Sequence, residues 1–524
     1  MTATPHRSGN TIPPVSSAHS GGNPSLLERL RHWPTYERTD AEMAEDVVRW
    51  QRAVATRRRE GAPRRVLFVH GQLPGETGSG VYLQQIAREA LRQGIDLYLL
   101  SAGYESLGSA HIQGVPDDRI FTCLFTSQGA TPAPDAVKTP VSGMSVVMPY
   151  PVLAFRDRSE AELLDWLTGF GTRMADLIHR LQPDVVHVNH LWLLNGLARM
   201  VAPWIPLVTS AHGTAHKLIM DAPRFRDLVV PCASSADHVC AISPESVEEC
   251  VEMFALPEGC ITIEGYGYEP EVFNWQPVDA ATVIQDAFGI SLPSAGRLVV
   301  AVGKFVDWKG FKELAVAIAQ LREQQVDVTA VIVGEGDPES RADLERFIAA
   351  RGLTHHVHLP GKVARSALPD IYRAADVYVL PSHVEPYGMV LMEALACGAP
   401  SVAADTGGPP DFVPKELTDT GLALLVTPIA LTAHGEATAE ARSVYATALA
   451  EGIAALLRRD IDETDRQAVA KAMTHLSWGR LVKNLSRIYD RLATAATDTA
   501  TSATLRPPIA SLPAARSVAI NKKG

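Results

Sequence analysis

The 524-residue sequence predicts an α/β protein made of two doubly wound parallel-sheet domains facing a central cleft. Three observations predict it. Short β-branched runs, continuously apolar, alternate with helical stretches, the pattern of parallel strands covered on both faces. The runs fall into two series divided near 275–295. Glycine-rich or charged segments follow the runs directly, where ligands of such folds bind.

The first series opens with RRVLFVHG (64–71), a buried strand, then a glycine-rich turn and the helix GVYLQQIAREALRQG. DLYLLSA, DVVHVNH, PLVTSAHG and HVCAIS follow as further strands. The second series is RLVVAVGKF, VTAVIVGEG, HVHLPG, DVYVLPS and PSVAAD. The expected organisation is an N-terminal extension (1–60), a first domain (61–275), a second domain (276–480), a helix crossing back to the first domain (481–495) and a tail (496–524). Residues 1 to about 25 and the tail are rich in Ser, Thr, Pro, Gly or Ala and are expected to be disordered. Residues 26–60 read as helices ending in a basic stretch.

Composition narrows the function. The net charge of −11, from 48 basic and 59 acidic residues, argues against a nucleic-acid partner. No apolar run reaches membrane-spanning length, and the N-terminus lacks the apolar core of a secretory signal, so a cytoplasmic protein is expected. The six cysteines form no Cys-x-x-Cys pair, consistent with reduced thiols and against a cysteine zinc site. The basic segment 49–65 could touch anionic lipid, but a solvated helix end is the preferred reading, and membrane contact is not expected. Homo-oligomerisation is left open.

The stretch EPYGMVLMEALACGAP (385–400) carries two glutamates, Glu385 and Glu393. DVYVLPS ends a strand near Ser382, a loop follows through Tyr387, and a helix is expected from Gly388 to Cys397, with Gly398 as left-handed cap and Pro400 beyond. The amides of Gly388, Met389 and Val390 would then be free at a helix N-terminus, which suits a phosphate. The two carboxylates are natural partners for sugar or ribose hydroxyls. Acids near a helix start also stabilise it by about 0.3–1 kcal/mol each, but the sequence context favours the binding reading. In VGKFVDWKGFKEL (302–314), Lys304 and Lys309 sit where a diphosphate could lie, although two solvated lysines are the commoner fate. In GETGSGVYL (75–83), Gly78 and Gly80 follow the first strand and allow close approach of a ligand, though the segment is not the Gly-x-Gly-x-x-Gly fingerprint. HVNHLWLLNG and TSAHGTAHK place His187, His190, His212 and His216 after strands. Carboxylate partners and zinc spacing are missing, so no metal is expected, and His212 is the best candidate to meet a substrate. Asp460-Ile461-Asp462 follows a helix and reads as a polar turn.

These residues are familiar in combination. From about 65 to 495 the chain resembles the retaining glycosyltransferases of family 4, in the architecture of two Rossmann-like domains called GT-B. The resemblance rests on HVEPYGMVLMEALACGAPSVAADTGGPPDFV, VGKFVDWKGFKELAVAIAQL, VIVGEGDPE, HLPGKV, ALPDIYRAADVYVLPS, HVCAISPESVE and LSWGRLVKNLSRIYDRL, in the family's order. It implies that Glu385 contacts donor-sugar hydroxyls, Glu393 holds the ribose, and Lys304 and Lys309 bind the diphosphate. The amides of Gly388, Met389 and Val390 would touch phosphate and sugar, with Gly78, Gly80, Gly303, Val363 and Tyr387 completing the donor site. His212 would face the reacting sugar. Two departures stand out: Lys304 where the family has Arg, and Tyr266-Gly267-Tyr268-Glu269 where it has Asn-Gly-Val-Asp.

The implied reaction is transfer of a sugar from a nucleoside-diphosphate donor to an acceptor with anomeric retention and no cofactor. A small soluble acceptor, of specialised metabolism, is the favoured partner. The alternatives are a membrane-surface transferase with a lipid-linked acceptor and a non-catalytic nucleotide-sugar-binding protein. Paired carboxylates also fit a glycosidase, but the lysines and helix N-terminus answer a diphosphate, which a simple glycoside lacks. An NAD-dependent enzyme is disfavoured because the glycine fingerprint and its downstream acid do not occur together.

Overall fold

The computed structural model describes residues 39–499 apart from 76, 105–110, 128, 144–147, 149, 294–295 and 433–435. The segments expected to be disordered, residues 1 to about 25 and the tail beyond 499, lie outside the described residues. The described chain forms two compact units. One holds residues 39–267 together with the helix Trp478–Thr499; the other is Tyr268–Ser477. That last helix therefore runs four residues into the stretch read as a tail.

In the first unit the strands are β1 (Arg65–His70), β2 (Asp96–Tyr104), β3 (Ile120–Phe125), the short pair β4 (Ser142–Gly143) and β5 (Leu153–Ala154), then β6 (Val185–Asn189), β7 (Leu207–Ala211), β8 (His238–Ala241) and β9 (Ile261–Ile263). Seven of them make one parallel sheet in the order β3-β2-β1-β6-β7-β8-β9. Val66, Leu67, Phe68 and Val69 of β1 are all buried, which is why the run carries no polar alternation. The order reverses between β1 and β6, so the loops after these two strands diverge and leave a crevice.

The helix Asp40–Arg59 belongs to this unit. Thr39 and Glu42 form a reciprocal capping box at its start. Trp50 and Val54, one turn apart, bury on the unit, and the Trp50 indole donates to Pro183 O at 2.7 Å. The basic stretch is held by the fold: Arg57 pairs with Asp184 at 3.2 Å, Arg64 with Asp490 at 2.7 Å and Arg65 with Asp96 at 2.6 Å. No helix among the described residues is long and apolar enough to cross a membrane.

The second unit contains β10 (Arg297–Val302), β11 (Val328–Val333), β12 (Val357–Gly361), β13 (Val377–Leu380), β14 (Ser401–Ala404) and β15 (Ala423–Val426), parallel throughout in the order β12-β11-β10-β13-β14-β15. Its switch point lies between β10 and β13. Two doubly wound parallel sheets are thus present, as the alternation predicts. The expected strands do not include β3 (IFTCLF), β9 (ITI) and β15 (ALLV), which are edges of the two large sheets, nor the two-residue strands β4 and β5.

Two glycines let the loops after β10 and β13 close on their neighbours. Gly310 (φ +71°) ends the β10 loop, and an added Cβ would collide with Pro381 O, at the end of β13. Gly407 (φ +65°) packs against the same β13 loop, where a Cβ would meet Glu385 O. Both positions combine a left-handed backbone with backbone-to-backbone contact, so only glycine fits without strain.

Candidate functional site

In the second unit, the loops after β10 and β13 meet at the switch point. His383 N donates to Trp308 O at 2.8 Å, joining the loops by their backbones. Lys309 Nζ reaches Glu385 Oε2 at 2.5 Å, and Ser382 Oγ donates to the same oxygen at 2.9 Å. Both charged side chains are largely buried, at 13% and 10% exposure. The ammonium also lies 4.5 Å from the centre of the Trp308 ring, which is itself half exposed. Lys304 stands exposed two residues after β10, and Gly303 N donates to Val333 O at 3.0 Å, fixing the loop where it leaves the sheet.

The helix after β13 runs Met389–Ala396, with Gly388 as a left-handed N-cap (φ +95°) and Gly398 in the same region beyond its end. Its first internal bonds run from Leu391 and Met392 to Gly388 O. The amides of Gly388, Met389 and Val390 precede that ladder, and the helix dipole points its positive end at the loop. Tyr387 is buried and stacks on Phe412 with centroids 5.2 Å apart.

Glu393 lies in the second turn, buried, with its own set of partners. Arg365 donates to its Oε1 at 2.9 Å and to Glu269 Oε2 at 3.1 Å, while Tyr372 OH lies 3.4 Å from Oε2. Burial pushes the Glu393 carboxyl above the ordinary range, and the Arg365 guanidinium pulls it partly back. Arg365 follows two residues after Val363, which is half-buried just past β12, and its guanidinium covers the Phe273 ring at 4.9 Å. Glu269, the acid retained in the divergent Tyr-Gly-Tyr-Glu segment, is thereby tied to the same carboxylate.

Behind the paired loops lies an ionic network. Arg442 bonds Asp307 and Glu313, both at 2.6 Å, and His383 Nε2 lies 3.1 Å from Glu313 Oε2. Asp307 and His383 each stand two residues before a member of the Lys309–Glu385 pair. Burial alone would raise the Glu313 carboxyl, but His383 and Arg442 hold it below the ordinary value.

His212, Gly78 and Gly80 belong to the first unit. Gly80 packs so closely on Gly75 that a Cβ would strike its carbonyl, whereas Gly78 is exposed with open space around it. His212 is buried, with both ring nitrogens engaged: one lies 2.8 Å from Tyr266 OH and the other 2.6 Å from Asn189 Oδ1. Asn189 continues to His70 at 2.9 Å. His187 is an interior residue, between Ser210 Oγ at 2.9 Å and Tyr489 OH at 2.6 Å. Burial drives His70 and His212 well below the ordinary imidazole value, and His187 and His190 down to about 3, so all four are neutral. The side chain of His216 lies outside the described residues. Among those described, no group of His, Cys, Asp and Glu could hold a metal ion. Asp462, of the Asp-Ile-Asp turn, caps the helix Glu463–Ala472 by accepting from Asp465 N.

Residue reasoning missed Arg365, Glu313, His383 and Arg442. Only Glu269 carried a signal, as the acid kept in an altered segment. The others are brought together by strands and helices far apart in the chain.

Comparison with known proteins agrees with the two-sheet fold. The family model Glycosyltransferase Family 4 matches residues 77–264, and Glycosyl transferases group 1 matches 285–427. The D-inositol 3-phosphate glycosyltransferase of Corynebacterium diphtheriae is 27% identical over 362 residues, covering 65% of this chain and 77% of its own. The mannosylfructose-phosphate synthase of Agrobacterium fabrum is 34% identical over 182 residues, covering 33% of this chain and 39% of its own. Among solved structures, a sucrose-phosphate synthase of Thermosynechococcus elongatus superposes with a TM-score of 0.59 at 20% identity, over 82% of this chain and all of that one.

Proposed function

This chain is a member of glycosyltransferase family 4, with the GT-B fold, and from that premise we propose that it moves a sugar from a UDP- or GDP-linked donor to a small soluble acceptor, with retention at the anomeric carbon. The observation that carries this reading is the Lys309–Glu385 pair, at 2.5 Å across the β10/β13 switch point, beside the free start of the helix that bears Glu393. A diphosphate needs cations and amides; a sugar and a ribose need hydroxyl acceptors. All four lie on two adjoining loops and one helix.

As the bond from the anomeric carbon to the diphosphate oxygen breaks, negative charge grows on the leaving group. Lys304, Lys309 and the amides of Gly388, Met389 and Val390 stabilise that charge, so this arrangement calls for no metal. Preorganised donors of this kind stabilise a transition state by about 2.7–4 kcal/mol each. Glu385 exchanges its bond with Lys309 for donor-sugar hydroxyls, and Glu393 accepts the ribose hydroxyls. The acceptor oxygen attacks from the face the diphosphate leaves, and its proton passes to the departing phosphate oxygen, which keeps the configuration.

The names of the relatives, one acting on D-inositol 3-phosphate and one making mannosylfructose phosphate, support a small soluble acceptor. The altered Tyr-Gly-Tyr-Glu segment favours an acceptor of specialised metabolism. Three of the seven arginines in the basic stretch 49–65, Arg57, Arg64 and Arg65, are paired within the fold with Asp184, Asp490 and Asp96. The test is a thermal-shift panel of UDP, GDP and ADP with their sugars, followed by nucleotide release and the anomeric coupling constant of the product. Stabilisation by one nucleotide series with release of that nucleotide is expected. Binding without release would make the chain a nucleotide-sugar sensor, and an inverted product would overturn retention.

A further inference from the structure

The loop after β10 carries a tryptophan to which the transfer chemistry has given no part. Asp307, Trp308 and Lys309 form one 3₁₀ turn ahead of the helix Phe311–Glu323. The turn is fixed on several sides. Lys309 N donates to Val306 O at 3.0 Å, Trp308 O accepts from His383 N, and Arg442 holds Asp307 at 2.6 Å. Trp308 is nevertheless 45% exposed, although an indole gains much from burial. Singly exposed apolar side chains are ordinary, so exposure alone assigns it nothing; what the ring touches does.

The ring touches the Lys309 ammonium. Nζ lies 4.5 Å from the ring centre, inside the range over which the negative face of an indole attracts a cation. An ammonium has three N–H donors. One goes to Glu385 Oε2, its hydrogen-bond acceptor among the described residues, and that oxygen is shared with Ser382 Oγ. The Lys309 side chain is largely buried, so little water reaches the other two donors. The indole face is therefore the second favourable contact of this cation. Lys304, by contrast, stands exposed, where water serves its ammonium.

We propose that Trp308 is a positioning residue for the transfer step, holding the Lys309 ammonium in place while its carboxylate partner changes. The inference rests on the transferase reading and adds to it a residue that acts through Lys309. In that reading Glu385 leaves the ammonium for donor-sugar hydroxyls. A lysine released from its carboxylate would sample the rotamers of a flexible four-carbon stem. The ring takes no part in the exchange, and its backbone is pinned by His383 N, so the cation stays against it. A cation held before the bond breaks stabilises the growing charge without reorganising at the moment of reaction. A loosely held lysine still meets a bound diphosphate, which is charged throughout. What it loses is aim as that charge increases, so the effect of the ring falls on kcat more than on donor KM.

The experiment measures nucleotide release by the full chain from UDP-glucose and from GDP-mannose. Trp308→Leu keeps an apolar side chain without the aromatic face. It is expected to lower kcat about fivefold, or about 1 kcal/mol, the worth of such a contact at a partly exposed site, with donor KM within about twofold of the parent. Trp308→Phe keeps an aromatic face and is expected to recover most of the loss. Fluorinated tryptophans placed at position 308 alone keep the shape and weaken the negative face, so kcat is expected to fall stepwise with each fluorine. In Lys309→Ala, adding Trp308→Leu is expected to cost nothing further, because the two side chains act as one unit. With the parent active, four results overturn the proposal: a Leu variant equal to the parent, a Phe variant no better than Leu, a flat fluorine series, or an undiminished Trp308→Leu loss in the Lys309→Ala background. The last would make the ring a platform for the sugar itself. No release by the parent chain overturns the transferase reading, and the proposal with it.

Discussion

Arg365→Gln is the most searching perturbation of the nucleotide side. The guanidinium donates to Glu393 at 2.9 Å and to Glu269 at 3.1 Å. A hydrogen bond to a charged group contributes about 1.5–3 kcal/mol. The Arg365 side chain is 45% exposed, so solvent screening puts the effect at the low end, about 1.5 kcal/mol, or about tenfold in nucleotide Kd. The effect must also depend on pH. Burial raises the Glu393 carboxyl and Arg365 opposes that rise, so without the guanidinium the carboxyl protonates at higher pH than in the parent. A protonated Glu393 accepts ribose hydroxyls poorly, so the affinity loss grows as pH falls and shrinks as it rises. Folding follows the opposite sense. A carboxyl raised above its unfolded value binds its proton more tightly in the native chain, so its contribution is present at low pH and erodes as pH rises. The variant is therefore destabilised at neutral pH and recovers on acidification. Calorimetric titration of UDP and GDP from about pH 5.5 to about pH 9, with Glu393→Gln as a pH-independent comparator, makes the measurement. An unchanged Kd, or a loss that is flat across pH, refutes the reasoning.

Three further outcomes are expected. Lys309→Ala lowers turnover by about 10²–10³-fold, from the loss of one preorganised donor, in a nucleotide-release assay. Arg442→Met leaves Glu313 buried beside His383 without its guanidinium and costs about 3 kcal/mol in urea unfolding, since removing one partner strands the other's charge. Acidification destabilises the first unit: His187 and His190 stay neutral down to about pH 3, whereas the unfolded chain takes up their protons near pH 6.5. Their contribution is full above that value and is lost as pH falls, by about 2 kcal/mol each at about pH 5, which thermal unfolding across pH reports.

Much of the fold was legible because it is written locally. A buried parallel strand needs a continuous apolar run, and β1, β10 and β13 show one; β9 has three residues and β4 and β5 two each, too short to make a run. The helix Met389–Ala396 was legible from Gly388 and Gly398, whose left-handed backbones bracket it. The Lys309 and Glu385 loops were legible as segments, and adjacency of β10 and β13 brings them together. Arg365 was not, because nothing in ARSALP announces a guanidinium that reaches 28 residues ahead. The Asp307–Arg442–Glu313–His383 network draws on three separate segments, 302–314, the loop after β13 and the helix Ala439–Leu457. A lone His or Trp in any of these reads as ordinary core.

The helix Trp478–Thr499 closes the first unit although the whole of the second unit precedes it in the chain. Its Tyr489 supplies a hydroxyl to interior His187, and its Asp490 supplies a carboxylate to Arg64. During synthesis, the earlier-emerging unit therefore waits with an open flank until the whole of the second unit has been made. Shortening the chain before residue 478 would harm the region made first more than the one made second.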